Sequence, residues 1–282
     1  MEEILHTFTE DDILLEGVRY GASGDVAIVY THGITGSVFR PAHVRIGRAL
    51  AQAGYVVVAG NNRGTGVATA LAQRGGARLL GGSWFERLAD SVKDIAAWIA
   101  VASSAASRIV LLGHSLGGVK AILYASERGE RLSGLVLASP ALRLVSRFSD
   151  PEVLRRARRA VDEGRPDELI ALDPQATLVF GRLSAATLLD RASPGIDPWA
   201  DGGARIARVR CPTLAFYGTE EADVGGTAEL ERLATLMRGR FTSAMLPGAD
   251  HLYTGHESEA AAIVARWIAG AVERSEPATT NV

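Results

Sequence analysis

The chain has 282 residues, 47% of them hydrophobic, and a formal net charge of −2 at pH 7. This apolar content is ample for a globular protein with a sizeable core. The charge shows no basic excess of the kind that attracts phosphate backbones, which argues against nucleic acid as a partner, and a single cysteine, Cys211, excludes an internal disulfide.

The N-terminal sequence gives the first predictions. It is acidic, MEEILHTFTEDD, and lacks the basic and apolar regions of a signal peptide. No apolar run approaches the ~20 residues that span a bilayer, so we expect a cytoplasmic protein without a membrane partner. The stretch HTFTEDDILLEGVRYG is typical of an antiparallel hairpin that turns at Asp11 and Asp12.

Apolar strands then alternate with helical patterns. The strand candidates are DVAIVYTHG, YVVVAGNNR and RIVLLGHS, and helices are predicted between them from about Pro41 to Ala53 and near residues 84 to 101. Such alternation predicts a parallel sheet joined by crossover helices. Because the strands are apolar throughout, we expect helices to cover both faces of the sheet.

The alternation breaks after the next strand, LSGLVLASP. The following 65 or so residues contain no convincing strand and read as helices separated by Gly and Pro, before PTLAFYG and FTSAMLPG resume the pattern. We therefore predict an α/β core formed by residues 1–140 and 206–274, a helical cap at 141–205 and a disordered tail at 275–282.

The segment GHSLGG, residues 113–118, contains the pattern GxSxG at Gly113, Ser115 and Gly117. An apolar strand is predicted before it, and a helix to about Arg128 after it. A strand that turns into a helix this abruptly needs small neighbours, and it lifts the central hydroxyl above the carboxyl edge of the sheet. We predict that Ser115 is a nucleophile.

A serine hydroxyl needs a base to remove its proton. His251, in LPGADHLY after the last predicted strand, is expected at the same edge of the sheet as Ser115. It is therefore the best candidate base, and His256, in the first turn of the last helix, is the alternative.

The base needs a carboxylate to orient it. In the order Ser, acid, His, the segment FYGTEEADVGG offers Glu220, Glu221 and Asp223. Spacing from Gly218 favours Glu221, whereas the shorter side chain favours Asp223, so both stay candidates.

The developing oxyanion needs backbone N–H donors. Leu116, the residue after the nucleophile, supplies one. The loop YTHGITGS, in which His32 and Gly33 follow the first central strand, offers the N–H of Ile34 as the second.

These residues together resemble the α/β-hydrolase superfamily over nearly the whole chain, from THGITGS through GHSLGG and FYGTEEAD to GADH. The resemblance implies a mostly parallel sheet of about eight strands with helices on both faces and a helical cap. THGITGS, GNNRGTG, SWFERLADSVKDI and LGGVK are further similar to a subgroup of esterase-like proteins that includes hydrolases of siderophores and other secondary metabolites. The family pattern usually has an aspartate where this chain has Glu221.

Five residues near the predicted site are candidate substrate contacts: Gly33, His32, Arg63, Trp84 and Trp199. All but Gly33 have a structural alternative. His32 and Arg63 could instead brace their loops, and the two tryptophans could belong to the core. Lys120 is interpreted as a structural ion-pair partner. Histidine spacing supports no metal site, and no phosphate-binding loop is present, so we expect no metal and no cofactor.

The leading hypothesis is a serine hydrolase that transfers the acyl group of an ester, thioester, lactone or amide to water. The first alternative is an enzyme of the same fold that performs other chemistry on a biosynthetic intermediate. The second is a protein that only binds a small ligand. In each case the partner is a small molecule, and the chain is expected to be a monomer or a homodimer.

Overall fold

The computed structural model describes residues 1–143, 150–172, 181–221 and 223–273. The predicted tail at 275–282 lies outside the described residues, as do parts of the predicted cap. The strands are β1 (Glu2–Phe8), β2 (Leu14–Tyr20), β3 (Val26–Thr31), β4 (Val56–Gly60), β5 (Thr69–Ala72), β6 (Arg78–Gly81), β7 (Arg108–His114), β8 (Leu132–Ala138), β9 (Leu169–Ala171), β10 (Arg182–Ser184), β11 (Thr213–Gly218) and β12 (Phe241–Leu246). The α-helices are α1 (Pro41–Gln52), α2 (Ser91–Ser103), α3 (Leu116–Arg128), α4 (Pro151–Asp162), α5 (Ala185–Arg191), α6 (Thr227–Leu236) and α7 (Glu257–Ala271).

Eight of these strands form one sheet in the order β1-β2-β4-β3-β7-β8-β11-β12. Strand β2 pairs antiparallel with both β1 and β4, and every other pair is parallel. The predicted N-terminal hairpin is confirmed, with Asp12 at its turn in the left-handed conformation. The predicted mostly parallel sheet of about eight strands is confirmed as well.

Helices cover both faces of the sheet, as its continuously apolar strands predict. On one face α2 and α3 bury Trp98 and Ile122 in the first large apolar cluster. On the other face α1 and α7 bury Leu50 and Trp267 in the second. Because the strands run parallel, the loops after β3, β4, β7, β8, β11 and β12 all meet at one edge of the sheet.

The helix predicted near residues 84 to 101 begins later, at Ser91. The backbone N–H of Trp84 donates to Val67 O, and its carbonyl oxygen accepts from the N–H of Ser184. Its backbone hydrogen bonds therefore go to other segments of the chain and not to a helix. The Asp190 carboxylate accepts the N–H of Leu88 at 2.5 Å, which ties this stretch to α5. The sequence pattern is helical here, but tertiary contacts outweigh it.

The segment predicted to be a helical cap also contains two short strands, so the expectation of no strand there is wrong. Strands β9 and β10 pair antiparallel next to α4 and α5. They enclose a small apolar cluster of their own, which includes Ile170 and Leu188, and Ile34 and Trp84 from the main body pack against it. Among the helices of the described residues, none combines the length and apolarity needed to cross a bilayer.

Candidate active site

Ser115 lies on a tight turn between β7 and α3. Its backbone has φ 60° and ψ −126°, a strained conformation for a residue other than glycine. The flanking glycines are required by space, since a Cβ at Gly113 would lie 2.2 Å from the carbonyl oxygen of Gly117, and one at Gly117 would lie 2.6 Å from that of Thr31. The predicted strand-turn-helix geometry is therefore present.

His251 follows β12 and reaches over this turn. Its Nε2 lies 2.9 Å from Ser115 Oγ, and its Nδ1 lies 2.7 Å from Glu221 Oε2. A carboxylate can only accept, so Nδ1 carries the proton and Nε2 presents a lone pair to the serine hydroxyl. This arrangement suits proton removal from Ser115.

The carboxylate beside His251 belongs to Glu221, whose side chain is 1% exposed. Its second oxygen, Oε1, accepts from the backbone N–H of Gly218 and from Ser139 Oγ. Asp223 is exposed and makes no hydrogen bond to His251. The structure therefore favours Glu221 over Asp223 as the partner of the base, because Glu221 folds back under the end of β11 and reaches His251.

The alternative base, His256, lies elsewhere. It precedes α7 and has its Nδ1 3.8 Å from Glu259 Oε1, without contact to Ser115. His114, next to the nucleophile, points away from the hydroxyl. It donates from Nε2 to the carbonyl oxygen of His251 at 2.7 Å, and burial holds its pKa well below the usual value, so it stays neutral.

The loop after β3 covers the serine. A Cβ at Gly33 would lie 2.6 Å from Ser115 Cβ and 2.9 Å from its Oγ, so only glycine leaves room there. The next backbone amide is that of Ile34, and Leu116 provides the first amide of α3, which has no acceptor within the helix. Neither amide donates to another group among the described residues, so both stay available to a ligand.

His32 braces this loop. It is completely buried, its Nδ1 donates to Gly33 O at 2.7 Å, and its Nε2 lies 2.9 Å from Thr65 Oγ1. Burial lowers its pKa well below the usual value, which keeps the ring neutral. These contacts favour the bracing alternative for His32, and its role toward a substrate stays a prediction.

The Arg63 guanidinium is bonded to carboxylates of the protein itself. Its guanidinium donates to Asp94 from Nε at 3.0 Å and from Nη2 at 2.7 Å, and it reaches Asp11 from Nη1 at 3.0 Å. Burial opposes its charge, but Asp94 and Asp11 outweigh that effect and raise the pKa of Arg63. These bonds favour the interpretation that Arg63 braces its loop, and a role toward a substrate carboxylate stays a prediction.

We expect the substitution Arg63→Ala to lower the free energy of unfolding by about 3–5 kcal/mol, because it leaves the fully buried Asp94 without its partner. Urea denaturation measures the loss. In the matched control Arg74→Ala, the removed ion pair to Asp12 joins side chains that are 62% and 58% exposed, and the expected loss is at most about 1 kcal/mol. A raised KM with unchanged stability in Arg63→Ala would instead support a role in substrate binding.

The remaining predicted contacts lie in packed surroundings. Trp199 donates its indole N–H to Leu142 O at 3.2 Å, and the Arg232 guanidinium covers its ring at 4.0 Å, which favours the packing interpretation. Trp84 lies with Ile34 against the small apolar cluster of the predicted cap, so its role toward a substrate stays a prediction. Lys120 is fully buried against Glu86, in agreement with a structural ion pair.

Sequence reasoning missed two residues behind the acid, Ser139 and Tyr253. Ser139 follows β8 and Tyr253 follows His251 by two positions, so both occupy the carboxyl edge of the sheet. A survey of polar residues at strand ends would have included them. Within the described ranges, no three His, Cys, Asp or Glu side chains are grouped closely enough to hold a metal ion.

Comparison with known proteins identifies the family and supports the fold. Residues 23–193 match the sequence model of a family described as serine aminopeptidase, S33, a range that includes Ser115 and ends before Glu221. No curated protein matches the chain.

Solved structures are similar over almost the full length. Est1E from Butyrivibrio proteoclasticus has a TM-score of 0.69 and 17% identity, covering 96% of this chain and 99% of its own. A monoacylglycerol lipase from Paleococcus ferrophilus has a TM-score of 0.67 and 19% identity, with 91% and 98% covered. DcsB, in complex with its substrate analogue, has a TM-score of 0.73 and 17% identity, with 97% and 100% covered. At these identities the likeness shows the fold alone.

Proposed function

This chain belongs to the serine aminopeptidase S33 family and has the α/β-hydrolase fold, and on that basis we propose that it is a serine hydrolase that cleaves carboxylic esters or related acyl compounds. One observation carries the proposal. Ser115 Oγ, His251 and Glu221 form a hydrogen-bonded series with distances of 2.9 and 2.7 Å. This is the arrangement that activates a serine hydroxyl.

The first half of the proposed reaction acylates the serine. His251 Nε2 removes the proton of Ser115, and Oγ attacks the carbonyl carbon of the substrate. The N–H groups of Ile34 and Leu116 receive the negative oxygen of the tetrahedral intermediate. The protonated His251 then gives its proton to the leaving alcohol as the bond between carbonyl carbon and alcohol oxygen breaks.

The second half releases the acid. A water molecule loses a proton to His251 and attacks the acyl-serine, and the returning proton restores the Ser115 hydroxyl. Glu221 keeps the Nδ1 proton in place throughout and stabilises the imidazolium that forms in each half.

The substrate class is part of the same proposal. The subgroup motifs resemble those of secondary-metabolite esterases, and Ile34 and Trp84 border an apolar cluster of the predicted cap. We propose a small-molecule ester of secondary metabolism, handled in the cytoplasm by a monomer or homodimer, without cofactor and without a nucleic-acid or membrane partner.

A fluorophosphonate probe tests the reaction class directly. We expect the intact mass of the folded protein to increase by one adduct, because the activated hydroxyl displaces fluoride from the probe. Peptide mapping should place the adduct on Ser115. The control Ser104→Ala, which removes an exposed serine at the end of α2, should label like the unchanged protein, whereas Ser115→Ala should not label.

The outcomes separate the competing functions. No adduct on the folded protein would contradict the proposal and favour a ligand-binding role. An adduct without hydrolysis of nitrophenyl esters, glycerol monoesters or feruloyl esters would favour acyl transfer to an acceptor other than water. Glycerol and feruloyl esters are included because the similar structures include a monoacylglycerol lipase and Est1E with bound ferulic acid.

A further inference from the structure

A second set of hydrogen bonds lies behind the carboxylate that faces His251. Ser139 Oγ lies 2.5 Å from Glu221 Oε1, and the hydroxyl of Tyr253 lies 2.5 Å from Ser139 Oγ. Ser139 is fully buried and Tyr253 is 1% exposed. These contacts join residues from the ends of three strands, β8, β11 and β12.

The direction of these hydrogen bonds follows from counting protons. The carboxylate accepts and does not donate, so the single proton of Ser139 points to Glu221. Ser139 Oγ must then accept from Tyr253, whose hydroxyl is the donor. Burial raises the pKa of Tyr253 well above its usual value, which keeps that donor protonated.

Both residues adopt a backbone conformation that is unfavourable for their type. Ser139 has φ 44° and Tyr253 has φ 59°, values that glycine tolerates and other residues rarely adopt. Ser139 is held by its N–H bond to Phe216 O at 2.8 Å, and the Tyr253 ring stacks on Phe216 with centroids 5.5 Å apart. Such strain persists where the surrounding structure requires a particular side-chain position.

We infer that Ser139 and Tyr253 are positioning residues that lock the Glu221 carboxylate, so that Oε2 alone is presented to His251. A glutamate has one more rotatable bond than an aspartate and loses more conformational freedom when it is fixed. Ser139 and the N–H of Gly218 together hold Oε1, and Tyr253 holds Ser139. The inference rests on the proposed function, because it assigns these residues to the acid of that reaction.

Steady-state hydrolysis of a nitrophenyl ester tests the inference. Removing the hydroxyl in Ser139→Ala should lower kcat by about 10- to 100-fold, the range for a lost hydrogen bond to a charged group. Tyr253→Phe should lower kcat by about 2- to 10-fold, since the lost bond joins neutral groups. KM should stay the same in both variants, because neither residue contacts the substrate.

Two further variants separate a hydroxyl effect from a backbone effect. Ser139→Gly also lacks the hydroxyl but relieves the positive φ, so it should be at least as stable as Ser139→Ala in thermal unfolding and equally slow. Adding Tyr253→Phe to Ser139→Ala should cause no further loss of kcat, because Tyr253 acts through Ser139.

Tyr217→Phe is the matched control, because Tyr217 is an equally buried tyrosine at the same edge whose hydroxyl donates to Pro140 O at 2.7 Å and not to the acid. Its kcat should be unchanged. The inference is overturned if the Ser139 variants keep the full kcat, if the two losses are additive, or if the change lies in KM. If Ser139→Ala does not fold, the kcat values of Ser139→Gly and Tyr253→Phe test the inference. An unmodified protein that hydrolyses no ester would instead contradict the proposed function itself.

Discussion

Replacing Ser115 by Ala is expected to reduce kcat for ester hydrolysis by about 10⁴- to 10⁶-fold, and His251→Ala by a similar factor. The reason is that the two side chains act as one unit, joined by the 2.9 Å contact between Oγ and Nε2. Without Ser115 no hydroxyl attacks the substrate, and without His251 no base removes the proton of that hydroxyl. The double variant should therefore be no slower than the slower single variant.

Steady-state assays of the two single variants and the double variant measure the loss of kcat. Thermal unfolding checks that each variant is folded. His256→Ala is the matched control, because His256 lies in the same segment between β12 and α7 as His251 but does not contact Ser115. It should keep the activity of the unchanged protein. A Ser115→Ala variant with substantial turnover would show that another group carries the reaction.

Much of the fold was predictable because its signals are local. Long apolar strands followed by amphipathic helices predict a parallel sheet, and the order of β3, β4, β7, β8, β11 and β12 along the chain agrees with that expectation. The short hairpins β5–β6 and β9–β10 were not predictable, since strands of three or four residues carry no periodic signal. Helix α2 began late because Trp84 and Leu88 are bonded to distant parts of the chain.

In the candidate site, too, the residues with local sequence signals were predictable and those whose contacts depend on the fold were not. The turn at Ser115 is marked by its own neighbours, whereas the partners of Arg63 depend on Asp94 and Asp11, which only the fold brings together. The choice between Glu221 and Asp223 depended on which side chain folds back under β11. Ser139 lies 82 positions from Glu221 and Tyr253 lies 114 from Ser139, separations at which sequence patterns give no contact information.

The second large effect is expected for Glu221→Gln, which should lower kcat by about 10³- to 10⁴-fold. Gly218 N–H and Ser139 O–H both donate to the Oε1 position, so the amide oxygen of the glutamine must take that place. Its NH₂ group then faces His251 and donates to Nδ1. The imidazole is forced into the tautomer with the proton on Nε2, where it can no longer accept the proton of Ser115.

Asp223→Asn is the control for this substitution, because it makes the same chemical change on the exposed neighbour that does not contact His251. Hydrolysis by Asp223→Asn should match that of the unchanged protein. Glu221→Asp should also be slow, since its carboxylate is about 1.5 Å short of the present position, the length of one carbon–carbon bond. If Asp223→Asn were the slow variant and Glu221→Gln the active one, the bond between Glu221 and His251 would have no part in orienting the base. Ser139 would then have no positioning role in the reaction.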